Sequence, residues 1–543
     1  MVKKTHGIGI DFGTDSVRVA LFSYESGTML HSTSCRYPRW KEGLYCDAST
    51  AQFRQHPADY KEALLHALGD VLGTLSQNQR NGIGSIGVGA TGSTVSPVNK
   101  DGVPLALLEE FSNDPHAMFY LWKDHSATVE AQRFTSLCKM WEVDYTKYQG
   151  AYSEEWFWAK IAFAGKKSPN IRMASTDWIE LSDWIPLLLT GQMGITYRNQ
   201  CASAHKALYN TQFGGLPSRE FLLEFDEYAS QIHDAYIQTP SSSCTFVGLL
   251  DSQLATLLQL PPDVIIGGSS LDAHAGAVGA NIDKGKLISV LGTSAVHMTV
   301  LPYNQIDIST ELTAWCGLGQ DSIIPGYWGV ESGQAAFGDV LSWFANMLSP
   351  FCENPELILP RLDTMLADQE KSSEVTALEW FNGRRYPIAT HTIQGALLGL
   401  NLSTDATSVY GALVDGILFG LKRILDGMKT QGLHFELMIA TGGIARKSPV
   451  LIQRLSTILN LPVLVLKEQE TCALGAAIYG AVASQEFSSL QEAQKAMAAT
   501  EGILYHPILC EKEYFEKMFA RYINFTQAIE PTYKKNSKLE QLT

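Results

Sequence analysis

Two segments about half a chain apart share one design. In HGIGIDFGTDSVRVALF (residues 6–22), Ile8, Ile10 and Phe12 alternate with small or polar residues, Gly13 to Ser16 form a turn, and Val17, Val19 and Leu21 resume the alternation. In KGKLISVLGTSAVHMTVL (residues 284–301), an apolar run from Leu287 to Leu291 meets a Gly292-Thr293-Ser294 turn, and Val296, Met298 and Val300 follow. Period-two alternation on both sides of a tight turn reads as strand, turn, strand. One such hairpin at the head of each half constrains the chain to a duplicated α/β architecture, with one nucleotide placed between the halves. At 543 residues the chain also exceeds what a single hydrophobic core serves.

The boundary between the halves is legible too. PPDVIIGG (residues 261–268) reads as a buried strand, which places the transition near 280–285 and divides the chain into 1–283, 284–500 and a terminal 501–543. The last part is charged and reads as a helix with a frayed tail. EEWFWAKIAFAG and TDWIELSDWIPLLLTG read as helical and loop segments, and YGALVDGILFGLKRILDGM and SPVLIQRLSTILN as amphipathic helices.

Composition excludes several functions. A net charge of -15 argues against nucleic acid or an anionic membrane as a partner, so a phosphate site would have to be local. No apolar run reaches the roughly 18 residues of a membrane helix, and the basic N-terminus meets Asp11 too soon for a signal peptide. The nine cysteines are unpatterned and the thirteen histidines show no zinc-ligand spacing, which together read as a cytoplasmic protein with reduced thiols.

SIGVGATGSTVSP (residues 85–97) contains a literal G-x-G-x-x-G at Gly87, Gly89 and Gly92. A dinucleotide fingerprint needs a helix directly after the glycines, but Thr91 to Ser96 are β-branched or hydroxyl-rich and Pro97 follows. A P-loop needs a lysine where Ser93 stands. Both readings fail on context. LMIATGGIARKSPVLIQRL (residues 437–455) is a better nucleotide candidate: a strand, a Thr441-Gly442-Gly443 turn, and a helix beginning near Ser448-Pro449.

DFGTDSVR, YPRW, NDPHAMFYLWKDH, SEEWFWAK, CASAHKALY, LDAHAGAVGA, PGYWGVESGQAAFGD, WFNGRR and TGGIARKSPV occur in this order. Together they resemble the FGGY carbohydrate kinases of the actin-like ATPase superfamily, over about residues 6–485, and within them the branch acting on L-ribulose. The resemblance implies two actin-like (ribonuclease H-like) ATPase domains with an interdomain cleft where ATP, Mg2+ and a ketopentose meet. The expected reaction is phosphorylation of the 5-hydroxyl of L-ribulose, in arabinose catabolism. The resemblance further implies that Asp11 holds Mg2+ through water and that Gly13, Thr14, Asp15 and Ser16 lie near the γ-phosphate. Gly292, Thr293 and Ser294 would hold the other side of the phosphates, and Gly442, Gly443, Ala445 and Arg446 would face the adenosine. Asp272 matches the catalytic base, Lys206 and Glu331 match ketopentose-binding positions, and Gly92 and Ser93 complete the sugar pocket. One departure stands out: the branch usually carries an acidic residue where this chain has Gly89.

Bland readings stand beside these. An Asp before an apolar helix is commonly an N-cap, and a lysine such as Lys206 is commonly solvated. Glu331 is different, because an unpartnered carboxylate in an aromatic, glycine-rich stretch is costly. His205 and His274 read as local hydrogen-bonders. Three rivals remain open: a D-ribulose or xylulose kinase, a nicotinamide dehydrogenase, and a non-catalytic sugar-sensing ATP-binding protein. Oligomeric state is open as well, a homodimer included.

Overall fold

The computed structural model describes residues 3–236, 239–305, 317–368, 374–387, 390 and 393–540, except the side chains of 534–540. Both expected hairpins form. His6–Phe12 pairs antiparallel with Ser16–Ser23, and Lys286–Leu291 with Ala295–Pro302. Each hairpin sits inside a larger mixed sheet.

The first sheet runs Phe246–Leu249, Ile265–Leu271, Ile83–Ala90, His6–Phe12, Ser16–Ser23, Met29–Arg36. Its three inner strands, Ile265–Leu271, Ile83–Ala90 and His6–Phe12, are parallel. The second runs Gly317–Gln320, Tyr327–Gln334, Ala295–Pro302, Lys286–Leu291, Leu437–Thr441, Val463–Leu466, Gly502–Tyr505. Lys286–Leu291, Leu437–Thr441 and Val463–Leu466 are its parallel strands. The plan is therefore repeated: an antiparallel hairpin beside a parallel run. Parallel strands need long crossovers, and helices packed on the sheet faces bury them on both sides. Ile83–Ala90 is accordingly buried at every residue. The same pairing brings the carboxyl ends of the parallel strands to one edge of each sheet, where ligands bind in open α/β folds.

The helix Thr471–Ala483 comes from the second half of the chain yet packs on the first sheet. A Cβ on Gly9 would collide with the Ala473 carbonyl, and one on Gly87 with the Ala476 carbonyl. The same helix crosses Asp272–Gly279 at backbone contact: a Cβ on Gly475 would strike the Ala275 carbonyl, and one on Gly279 the Thr471 carbonyl. The core around this crossing joins Phe22 and Val278 to Ile288, Ile439 and Leu474. Gly87, the first glycine of the G-x-G-x-x-G, is thus a packing residue that admits a helix backbone.

Three elements depart from expectation. TDWIELSDWIPLLLTG contains a strand, Asp177–Glu180, before the helix Leu181–Thr190. Four residues carry little periodicity, and the strand is selected by pairing with Val95–Val98. A short helix, Gly443–Lys447, starts directly at the glycine turn and precedes the expected one, Pro449–Leu459. The terminal helix runs Lys512–Glu540, and residues 541–543 of the expected tail lie outside the described residues. Among the described residues, no helix is long and apolar enough to cross a membrane.

Candidate active site

Asp11 stands near the end of its strand, and Asp272 is the first residue of helix Asp272–Gly279. Between their strands lies Ile83–Ala90, with Gly89 opposite both Asp11 and Ser270. Gly89 therefore forms the floor between the two carboxylates. A Cβ there would stand 3.4 Å from Ala275 Cβ and 3.8 Å from the Asp272 Cα, which is ordinary contact. The position has room for a side chain, and glycine leaves that floor open.

Neither carboxylate is neutralised by the protein. Burial, and then the nearby Asp272, push Asp11 up to about 7. Arg18, its partner across the hairpin, lies 3.8 Å away but is closer to Glu470, at 2.8 Å. Burial pushes Asp272 up to about 6, with Glu331 adding to the rise while the Ala273 N–H and Lys206 oppose it. The capping alternative for Asp272 is not what forms: Leu271 occupies the N-cap, and Asp272 accepts the adjacent Ala273 N–H, at 2.7 Å. Two incompletely compensated oxygen-donor groups at one sheet edge suit a hard divalent cation such as Mg2+.

The expected sugar residues approach from three elements. Lys206 ends helix Gln200–Lys206, and a Cβ on Gly92 would lie 3.4 Å from its Cε. Glu331 comes from the second sheet, in Tyr327–Gln334. Burial alone would raise it, but nearby positive charge, Lys206 foremost with Arg385 adding, outweighs that and pulls Glu331 down to about 2. It is an anion held beside a lysine.

The two histidines correct the sequence reading. Their rings lie 4.8 Å apart, and neither ring nitrogen of His274 nor Nε2 of His205 has a hydrogen-bond partner among the described residues. His274 Nε2 lies 3.4 Å from the Glu331 carboxylate. Burial lowers both imidazoles and keeps them neutral. Cys201 completes a buried group whose ligand atoms lie within 4.8 Å of one another, as a soft metal ion would need. Spacing could not show this, because the group closes only through tertiary contact. Burial pushes the Cys201 thiol up to about 12, so it keeps its proton, whereas a ligating cysteine must lose it.

The phosphate turns are braced from behind. Gly13 N–H donates to Ser16 O at 3.0 Å, and Tyr37 OH to Gly13 O at 3.1 Å. Thr14 Oγ1 accepts Trp122 Nε1–H and Asp15 Oδ1 accepts Trp40 Nε1–H, at 3.0 and 2.7 Å. Both side chains are engaged, and so are the carbonyls of Gly13, Thr14 and Asp15, which fixes the shape of the turn. In the second hairpin Gly292 N–H donates to Ser294 O at 3.0 Å, while Thr293 O accepts the N–H groups of Phe337 and Asp339. Gly442 takes φ = +93°, and no atom lies within 4 Å of a Cβ built on Gly443. Ala445 is buried in the second core, so its side chain packs, while Gly443 and Arg446 are exposed.

Sequence reasoning missed Arg18, Glu470, Glu155 and Arg385. Arg18 follows from hairpin register alone, since a turn over residues 13–15 sets it opposite Asp11. Glu155 had no such signal. Burial would raise it, but a hydrogen bond from His125 and then the charge of Arg385 hold it below the usual carboxylate range.

The whole chain superposes on solved two-domain kinases. A ligand-bound xylulose kinase from Lactobacillus acidophilus has a TM-score of 0.80 at 19% identity, covering 98% of this chain and 99% of that one. Plasmodium falciparum glycerol kinase with ADP has a TM-score of 0.79 at 18% identity, covering 98% of both. The fold is that of the two-domain, actin-like sugar kinases. Sequence similarity is stronger. A ribulokinase of Vibrio parahaemolyticus is 36% identical over 523 residues, 92% of each chain. One of Geobacillus thermodenitrificans is 30% identical over 541 residues, covering 96% of this chain and 93% of its own. Residues 287–484 match the C-terminal domain of the FGGY family of carbohydrate kinases. The chain belongs to the FGGY family of carbohydrate kinases.

Proposed function

We propose that this chain transfers the γ-phosphoryl group of ATP to the 5-hydroxyl of L-ribulose, yielding L-ribulose 5-phosphate and ADP in cytoplasmic arabinose catabolism. The observation that carries the reading is the placement of Asp272 and Asp11 on either side of Gly89, with Lys206 and Glu331 ahead of Asp272. Similarity to ribulokinases over more than nine-tenths of the chain supports ribulose as the sugar.

Phosphoryl transfer to an alcohol depends chiefly on positioning and charge stabilisation. Asp272, ionised, accepts the 5-hydroxyl proton as the new O–P bond forms and the bond between the γ-phosphorus and the bridging oxygen breaks. Lys206 and Glu331 offer a donor and an acceptor to the sugar hydroxyls, with Gly92 and Ser93 as the wall. The 1–283 domain thus holds the base and most of the sugar contacts, with Glu331 reaching in from the 284–500 domain, which holds most of the nucleotide contacts. Gly13–Ser16 and Gly292–Ser294 take the phosphates from opposite lobes, and Gly442, Gly443, Ala445 and Arg446 border the adenosine. Asp11 would hold Mg2+ through water, and the ion when bound neutralises phosphate charge.

A second reading, a kinase for D-ribulose or xylulose, is favoured by Gly89, where the floor is open. A coupled ADP-release assay over the ketopentoses, with the product identified by NMR, tests both. L-ribulose should show the highest kcat/KM. A higher value for another pentulose selects the second reading, and no transfer to any ketopentose overturns both.

A further inference from the structure

The Gly92–Thr94 turn has a shape its own residues do not explain. Ser93 is buried and takes φ = +59°, a left-handed conformation that a residue with a Cβ adopts at a cost. Two buried charged side chains hold it from behind. Lys160, in helix Phe157–Lys167, donates from Nζ to Ser93 O at 2.5 Å, Leu121 O at 2.9 Å and Tyr120 O at 3.3 Å. Glu180 ends strand Asp177–Glu180 and accepts the Thr94 N–H through Oε2 at 3.0 Å.

Ser93 O and Thr94 N belong to one peptide group. Lys160 Nζ therefore donates to its oxygen and the Glu180 carboxyl accepts from its N–H, so the peptide is clamped in one sense. Flipping this peptide would turn its carbonyl toward the Glu180 oxygen and its N–H toward Lys160 Nζ, losing both hydrogen bonds in a buried site. The front of the turn faces the sugar pocket: a Cβ on Gly92 would meet Leu271 at 3.0 Å and Lys206 Cε at 3.4 Å, and Leu271 directly precedes Asp272. Loop closure alone gives no reason for this arrangement. Lys160 is wholly buried, and among the described residues no other lysine is. Burying a lysine amine is expensive, and here its three carbonyl acceptors, Ser93 O among them, offset that cost.

We infer that Lys160 and Glu180 are positioning residues that set acceptor specificity, by fixing the Ser93–Thr94 peptide and through it the Gly92 wall against Lys206. This rests on the ketopentose kinase reading above. The clamp admits a ketopentose in one pose, with the hydroxyl to be phosphorylated directed at Asp272.

Lys160→Met tests it. The variant should raise KM for the preferred ketopentose about tenfold or more and compress the kcat/KM ratio between preferred and disfavoured ketopentoses by a similar factor, as expected when a reacting group is displaced by about 1 Å. KM for ATP and the slow sugar-independent hydrolysis should stay within about twofold of the parent. Glu180→Ala should shift the same quantities, and Glu180→Gln, which keeps an acceptor oxygen for Thr94, should restore most of the loss. If Lys160→Met does not fold, the two Glu180 variants decide. A folded variant with parental sugar KM and selectivity overturns the inference, as does an equal loss toward every sugar and in ATP hydrolysis. An inert parent enzyme would instead sink the ketopentose reading.

Discussion

As the proposed general base, Asp272 faces two opposed demands. A general base must be ionised at the working pH, yet burial favours its neutral form and holds it at about 6. The kcat/KM for sugar should accordingly fall about tenfold per pH unit below about 6, and a flat acid limb down to pH 5 would remove Asp272 as the base. The same shift predicts stability. The folded value lies above the ordinary carboxylate value of 3.8, so the native state binds the proton more tightly and loses stability as pH rises from about 4 through 6. Asp272→Asn should thus lose transfer by about 100- to 10,000-fold while its Tm at neutral pH rises by about 2–4 °C and ATP binding persists by calorimetry. Glu331, pulled down to about 2, stays ionised throughout. Glu331→Gln should raise the sugar KM and move the acid limb to lower pH, because the Glu331 charge adds to the rise at Asp272. Of these residues, Asp272, Lys206 and Glu331 were legible through the motifs around them, whereas Lys160, Glu155 and Arg385 were not. All three sit inside SEEWFWAK and WFNGRR, segments that carry the resemblance, but only the folded chain shows what their side chains meet.

At the scale of elements, one short motif divides into three separate functions. Gly87 admits the backbone of helix Thr471–Ala483, Gly89 leaves the floor between two aspartates open, and Gly92 packs against Lys206. The dinucleotide reading was rejected for want of a helix and the P-loop reading for want of a lysine at Ser93, and the strand Val95–Val98 stands where that helix would have been. What the glycines do instead was hidden, since their partners lie up to almost four hundred residues away. The helix crossing is the more demanding contact. Gly475→Ala would drive a methyl into the Ala275 carbonyl and should destabilise the protein by about 3 kcal/mol in urea unfolding. Gly443→Ala, with nothing within 4 Å, should leave stability unchanged and raise the KM for ATP. An unchanged KM would move the nucleotide away from this turn.

At the scale of the whole molecule, the site is assembled across the lobes. Asp11, Asp272 and Lys206 come from the first, Glu331 and Glu470 from segments of the second, and the close crossing of Asp272–Gly279 with Thr471–Ala483 joins them. Closure on bound sugar would exclude water, a competing nucleophile. Hydrolysis of ATP without sugar should be slow, and small-angle scattering should show a smaller radius of gyration once sugar and a non-hydrolysable ATP analogue are both present. Rapid sugar-independent ADP release would contradict closure as the safeguard. By itself the sequence determined the duplicated hairpins, the two-domain α/β plan and the motif residues, because period-two alternation and turn chemistry are local properties of a chain. Only the tertiary structure decided that Gly89 separates two carboxylates, that one buried lysine and one buried glutamate grip a single peptide, and that a helix from the second half seats on the first sheet. Burial and electrostatic coupling depend on distances between residues far apart along the chain, and those distances do not exist until it folds.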